Sequence, residues 1–261
     1  MKPEHERATK IALSALGDRG FALAGGNALS AHGIGARESD DIDLFTNRMN
    51  DNVGETVEQL QSAFEEQGYS TTIKRQYPAH ARIHVERGDD KVDIDLGKDY
   101  RSKPPVETEL GPVLHVDDAV GSKVGSIYTR GEAKDFVDTN AALQAGYSTD
   151  QLMQLADARE ASPMDRPMFA QLLDSAKHIP DEEYAKCGLN PEETAGLKSR
   201  MTAWANEIRT REANPDIDQS MRLLQTGHAM PGQGQSASSN GEAAQRRSPY
   251  EQGRGMGERG S

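Results

Sequence analysis

Two short runs hold the residues of this chain best suited to do chemistry: Asp41-Ile42-Asp43-Leu44 and Lys91-Val92-Asp93-Ile94-Asp95-Leu96. In a β-strand, residues two apart project from one face about 6.6 Å apart along the axis. Each run therefore turns two carboxylates one way and its aliphatic side chains the other. Carboxylates gathered from neighbouring strands can clamp divalent cations, and hard oxygen donors favour Mg²⁺ or Mn²⁺ over zinc. Two such cations can activate an attacking hydroxyl and stabilise a departing pyrophosphate. A single acid-apolar-acid triplet is what any half-exposed strand shows, so the weight lies in finding two.

A glycine pair supplies the next piece. Gly25-Gly26 closes the apolar run Phe21-Ala22-Leu23-Ala24, and a short helix is expected over Ala28, Leu29 and Ala31 with Asn27 as its N-cap. Bare glycine backbone permits close approach, and free N–H groups at a helix start can receive phosphate. Fourteen residues separate Gly26 from Asp41, enough for that helix and a loop that returns the chain to a neighbouring strand. The expected order is strand, phosphate turn, helix, metal strand.

Farther on, Lys123, Arg130, Lys134, Asp135 and Asp138 fall in helical pattern. Lys123 and Arg130 are seven apart, which on one helix gives a shared face that can neutralise phosphate charge. Asp135 and Asp138, three apart, can orient those cations or take a proton from an acceptor hydroxyl. A solvated helix laced with surface ion pairs would show the same pattern.

Taken together, Gly25-Gly26-Asn27-Ala28-Leu29, Arg37-Glu38-Ser39-Asp40-Asp41-Ile42-Asp43-Leu44 and the stretch from Lys123 to Asp138 resemble the AbiEii-type nucleotidyltransferase toxins, a branch of the DNA polymerase beta-like superfamily. The resemblance covers roughly residues 20 to 145. It implies transfer of a nucleoside monophosphate from an NTP to an acceptor hydroxyl, with Asp41, Asp43 and Asp95 as ligands of Mg²⁺ or Mn²⁺. Asp93 is the alternative third ligand. Asp95 is preferred because the family's acid precedes an apolar residue near the strand end, with another acid after it, as Leu96 and Asp99 do here. It further implies catalytic roles for Lys123 and Asp138, and nucleotide contacts from Gly25, Gly26, Ser39, Lys123, Arg130, Lys134 and Asp135. The biology implied is a bacterial toxin acting on the 3′ end of tRNA and neutralised by a cognate antitoxin. An antibiotic or protein nucleotidyltransferase would use the same residues, and a catalytically silent binding module is a third reading.

Five further residues stand near or apart from this pattern. The Ser39 hydroxyl could donate to a phosphate or carry a regulatory modification. His80 and His84 are four apart, but Pro78 and the alternating neighbours indicate a strand rather than a zinc-binding helix. Arg82, between them, can contact nucleotide or acceptor. Trp204, spaced helically with Met201 and Ile208, belongs to a core rather than to a base-stacking platform.

The elements that must position these residues follow from periodicity. A helix over residues 5 to 16 and strands at 21–24, 41–46, 69–74, 81–87 and 91–96 frame a helix over 52–67, giving a mixed sheet of four or five strands. From Asp117 the pattern is helical: 117–128, 132–143, 148–158, 165–176 and 191–211. The expected class is α+β: a catalytic domain with a mixed sheet flanked by helices (1–115), a helical bundle (116–225) and a disordered tail (226–261) rich in Gly, Ser, Gln and Arg. The single cysteine, Cys187, excludes an internal disulfide, and no apolar run approaches the ~20 residues of a membrane helix. A cytoplasmic protein with no membrane partner is expected. A formal charge of −12 argues against broad nucleic-acid binding, so an RNA acceptor would need local cations, for which Lys177, Lys186, Lys198, Arg200, Arg209 and Arg211 are candidates.

Overall fold

The computed structural model describes residues 1–35 and 37–214, apart from the side chain of Asp18. The expected disordered tail at 226–261 lies outside the described residues. The described residues form one compact unit.

Helix α1 (Pro3–Leu16) starts on a proline suited to the first turn and buries Ala8, Ala12, Leu13 and Leu16. After Gly20 come β1 (Phe21–Leu23), α2 (Gly25–Ala31) and β2 (Asp41–Thr46). A 3₁₀ turn at Val53–Thr56 leads into α3 (Val57–Glu66), followed by β3 (Ser70–Gln76), β4 (His80–Arg87) and β5 (Asp90–Lys98). The structure adds two short strands to the expected five, β6 (Val106–Thr108) and β7 (Gly111–Val113). They are three residues each and β6 is exposed throughout, so neither carries the alternation that marks a strand in sequence.

The seven strands run in the order β3-β4-β5-β2-β1-β7-β6. The pairs β2/β5 and β1/β7 are parallel and the remaining neighbours antiparallel. One face packs on α1 and α3, where Ile42, Leu44, Ile83, Ile94 and Leu96 are fully buried. The alternate residues of the same strands are thereby turned to the opposite face.

The second half is helical: α4 (Val116–Thr129), α5 (Ala133–Gln144), α6 (Thr149–Asp157), α7 (Arg166–Ser175), α8 (Asp181–Lys186) and α9 (Pro191–Ala213). Helix α8, only six residues long, is too short to show a hydrophobic period, although Tyr184 is fully buried. Trp204 is core as expected, edge-on to Phe169 at 5.4 Å between ring centroids. Helix α4 is fastened to the sheet half through Asp118, whose buried carboxylate accepts from Ser102 N and Lys103 N at 2.9 Å and from Arg159 at 3.1 Å. No helix among the described residues is long and apolar enough to cross a membrane.

Candidate active site

The parallel pairing of β2 with β5 sets Asp41 opposite Asp93 and Asp43 opposite Asp95. Partners in register share a face, so all four carboxylates line one side of the sheet while Ile42, Leu44, Ile94 and Leu96 fill the other. The antiparallel pairing of β4 with β5 extends the rows, placing His84 beside Asp93 and Arg82 beside Asp95.

Neighbours distinguish these acids. Asp93 lies 2.7 Å from His84 Nδ1 at the more exposed end of the pair. Asp95 is buried and accepts from Arg82 Nε at 2.9 and 3.0 Å and from Arg82 Nη2, with His80 Nε2 a further 3.0 Å from Oδ1. The same Arg82 Nη2 donates to Asp41 Oδ2 at 3.1 Å, and Ser39 Oγ donates to Asp41 Oδ1 at 3.3 Å. The Asp43 carboxylate has no hydrogen-bond or ion-pair partner among the described residues, although Asp43 is opposite Asp95 and two residues from Asp41. Burial pushes its carboxyl up to about 6, the charge of Asp41 adds to the rise, Lys123 opposes it, and Asp95 adds again.

Gly25 and Gly26 serve this cluster by what they lack. A Cβ on Gly25 would stand 1.9 Å from Asp43 Oδ2, and the residue adopts φ +61°, which glycine alone takes freely. A Cβ on Gly26 would stand 2.7 Å from Arg37 Nη2. Asn27 is not the N-cap expected for α2. Ala24 holds that position without a side-chain cap, and Asn27, buried in the first turns, donates Nδ2 to Asp41 O at 2.8 Å, tying the helix to β2.

Helices α4 and α5 bring the cations. Lys123 Nζ lies 2.9 Å from Asp138 Oδ2, and Arg37 donates to both oxygens of the same carboxylate, from Nε at 3.1 Å and Nη2 at 3.2 Å. Burial alone would raise Asp138, but Lys123 and then Arg37 outweigh it and hold the carboxyl below its ordinary value. Asp138 is thus a holder of two cations and poorly placed to take a proton. The expectation that Lys123 and Arg130 share one helical face is corrected: α4 ends at Thr129, and Arg130 is its C-cap at φ −136°. Gly131 at φ +61° turns the chain into α5. Arg130 is instead held by a fully buried Asp135 through two bonds of 2.7 and 2.8 Å, leaving the guanidinium half exposed. Lys134 pairs with Glu132 at 3.1 Å.

Arg37 is the site residue that its spacing in sequence gave no reason to single out, since its partner Asp138 lies 101 residues away. Beside it opens a cavity of about 880 Å³, walled by Arg37, Lys134, Asp138, Asn140 and Arg200 among others. The six helical-half cations do not form a bare patch. Lys186 pairs with Glu183, Lys198 with Asp181, Arg209 with Asp174 and Arg211 with Glu207, each at 2.6 Å, while Lys177 reaches Asp174 at 3.8 Å and Arg200 donates to Asn140 at 2.6 Å.

The carboxylate rows suit a divalent cation by donor type and by the negative potential that raises Asp43. Among the described residues, no three His, Cys, Asp or Glu side chains are already gathered as a ligand set.

Comparison with known proteins follows this geometry. In solved structures, the fold is similar to a nucleotidyltransferase from H. pylori at TM-score 0.51 and 14% identity, with 81% of this chain and 97% of that chain covered. It is also similar to MenT4, a nucleotidyltransferase toxin from Mycobacterium tuberculosis H37Rv, at TM-score 0.53 and 13% identity, covering 85% of this chain and 95% of that one. A search of curated protein sequences gave no match. The family "Nucleotidyl transferase AbiEii toxin, Type IV TA system" matches residues 11–222. With the match running from α1 through α9 and both carboxylate strands inside it, the chain belongs to the AbiEii nucleotidyltransferase toxin family, and it is a nucleotidyltransferase.

Proposed function

We propose that this enzyme transfers a nucleoside monophosphate from an NTP to the 3′ hydroxyl of an RNA, with a tRNA end as the acceptor, in a Mg²⁺- or Mn²⁺-dependent reaction. The observation that carries the reading is Asp43: a carboxylate without a partner among the described residues, raised to about 6 and flanked in register by Asp95 and along its strand by Asp41. Asp41, Asp43 and Asp95 would hold the metal. When bound, the metal would polarise the α-phosphate and favour the ionised acceptor hydroxyl. Asp95 is preferred to Asp93 because it is buried beside Asp43, whereas Asp93 is opposite Asp41 and engaged by His84.

In the reaction, the acceptor hydroxyl gives up its proton to solvent, its oxygen forms a bond to the α-phosphorus, the bond to the bridging oxygen of the β-phosphate breaks, and pyrophosphate carries away the electron pair. Arg130, anchored by Asp135 yet half exposed, is the cation best placed to meet β- and γ-phosphate charge, with Lys134 following it in the first turn of α5. Lys123 contributes fixed positive charge from within, oriented by Asp138. Gly25 and Gly26 keep the first amides of α2 open to phosphate. Ser39 stands beside Asp41 and can donate to the same phosphate.

For a polyanionic acceptor, the relevant cations are those beside the site rather than those of α9. Arg75 on edge strand β3 is opposite Arg82 in register, and neither Lys74 nor Arg75 has an ion-pair partner among the described residues. Family membership supports a cognate antitoxin as partner and an NTP as substrate. A cytoplasmic location completes the proposal. Incubation with each labelled NTP and total RNA, total protein or an aminoglycoside tests it. Label on RNA 3′ ends, lost with EDTA and in Asp43→Asn, is expected; label on protein or drug instead would reject the RNA acceptor.

A further inference from the structure

Arg82 stands where a cation is wanted. Its backbone is fixed beside Asp95 by the β4/β5 register, and its side chain crosses β5 to reach Asp41 on β2. One guanidinium therefore binds two of the three carboxylates assigned to the metal: Asp95 through Nε and Nη2, and Asp41 through Nη2 at 3.1 Å. The carboxylate of the third, Asp43, is without a partner among the described residues, and the three are not gathered as a ligand set. A guanidinium stays charged throughout the ordinary pH range, so this counter-ion does not come and go with a proton.

We propose that Arg82 is a built-in counter-ion that occupies the cation position of the free enzyme and makes binding of the divalent metal depend on NTP. This inference rests on the metal-dependent reading above. A divalent ion entering alone must compete with the guanidinium for Asp41 and Asp95 and strip Arg82 of part of its counter-charge in a half-buried position. A triphosphate arriving with the metal offers replacement oxygens that suit the forked donor geometry of arginine. The exchange is then balanced: the metal takes the carboxylates and the nucleotide takes Arg82. Arg82 is in this sense a positioning residue, and the free enzyme resists idle loading with metal.

The test measures Mn²⁺ binding to the full chain by electron paramagnetic resonance, with and without a non-hydrolysable NTP analogue. Without nucleotide, Arg82→Gln is expected to bind Mn²⁺ at least about tenfold more tightly than wild type, following loss of the competing guanidinium. The analogue is expected to tighten Mn²⁺ binding strongly in wild type and much less in Arg82→Gln. Arg75→Gln removes one positive charge at the neighbouring register position without releasing a carboxylate, and should change Mn²⁺ binding less than about twofold. Arg82→Lys, which keeps the charge and loses the fork, should fall between and serves if Arg82→Gln does not fold. Equal or weaker Mn²⁺ binding by the Arg82 variants, or an unchanged response to the analogue, would overturn the inference while leaving the metal reading intact. Failure of wild type to bind Mn²⁺ even with the analogue would remove both.

Discussion

Gly25 and Asp43 occupy one volume: a β-carbon at the glycine would lie 1.9 Å from Oδ2 of the carboxylate. The close fit joins the glycine pair directly to β2, because the turn must be bare before Asp43 can be seated at all. Gly25→Ala is expected to destabilise the protein and reduce nucleotidyl transfer at least about a hundredfold, since Asp43 must move and the backbone sits at φ +61°. Gly33→Ala, at φ +73° with open space around it, carries the backbone strain alone and should cost about 1–2 kcal/mol with near-normal activity. Urea denaturation alongside a transfer assay separates the two, and equal activity in both variants would count against the packing argument.

Asp43 should be retained at the expense of stability. Its folded-state pKa, about 6, lies above the ordinary 3.8, so ionisation opposes folding. The penalty is full above pH ~6, fades as the pH falls through that value and vanishes below pH ~3.8, reaching about 3 kcal/mol at neutral pH from a shift of about two units. Asp43→Asn is therefore expected to melt higher than the metal-free wild type near pH ~7.5, to lose that advantage near pH ~4, and to be inactive throughout. Calorimetry at the two pH values checks the sign.

The buried trio of Lys123, Arg37 and Asp138 should respond asymmetrically. Asp138→Ala leaves two cations buried against each other, and a loss of about 3–5 kcal/mol is expected from breaking such a pair from one side. Arg37→Met removes one cation while Lys123 still satisfies the acid, and should cost less. Chemical denaturation of both variants decides this, and Arg37→Met as costly as Asp138→Ala would show that the two cations are not interchangeable partners.

The choice between Asp95 and Asp93 is open to a direct comparison. Asp95→Asn is expected to abolish transfer, whereas Asp93→Asn, which loses only the His84 contact, should retain at least about a tenth of it. The reverse order of activities would transfer the ligand role to Asp93.

Ser39 offers a site where added charge would be felt at once, because its hydroxyl is buried 3.3 Å from Asp41 Oδ1. Ser39→Asp should suppress transfer strongly by like-charge repulsion, and Ser39→Ala only modestly. Undiminished turnover in Ser39→Asp would exclude regulation by modification here.

Alternation of apolar and polar residue types was enough to read β2, β4 and β5 from sequence, because each strand turns its aliphatic side chains into the core face, and the same alternation put Asp41 with Asp43 and Asp93 with Asp95. The motif resemblance added Lys123 to Asp138 without saying what they touch. Tertiary structure alone decided that β2 lies parallel to β5, which sets Asp43 rather than Asp41 against Asp95, since register depends on the whole sheet. It alone ended α4 at Thr129, taking Arg130 off the helix and giving it to Asp135. It alone brought Arg37 to Asp138 across 101 residues and Arg82 onto two aspartates, because local periodicity records which way a side chain faces and carries no information about what will face it.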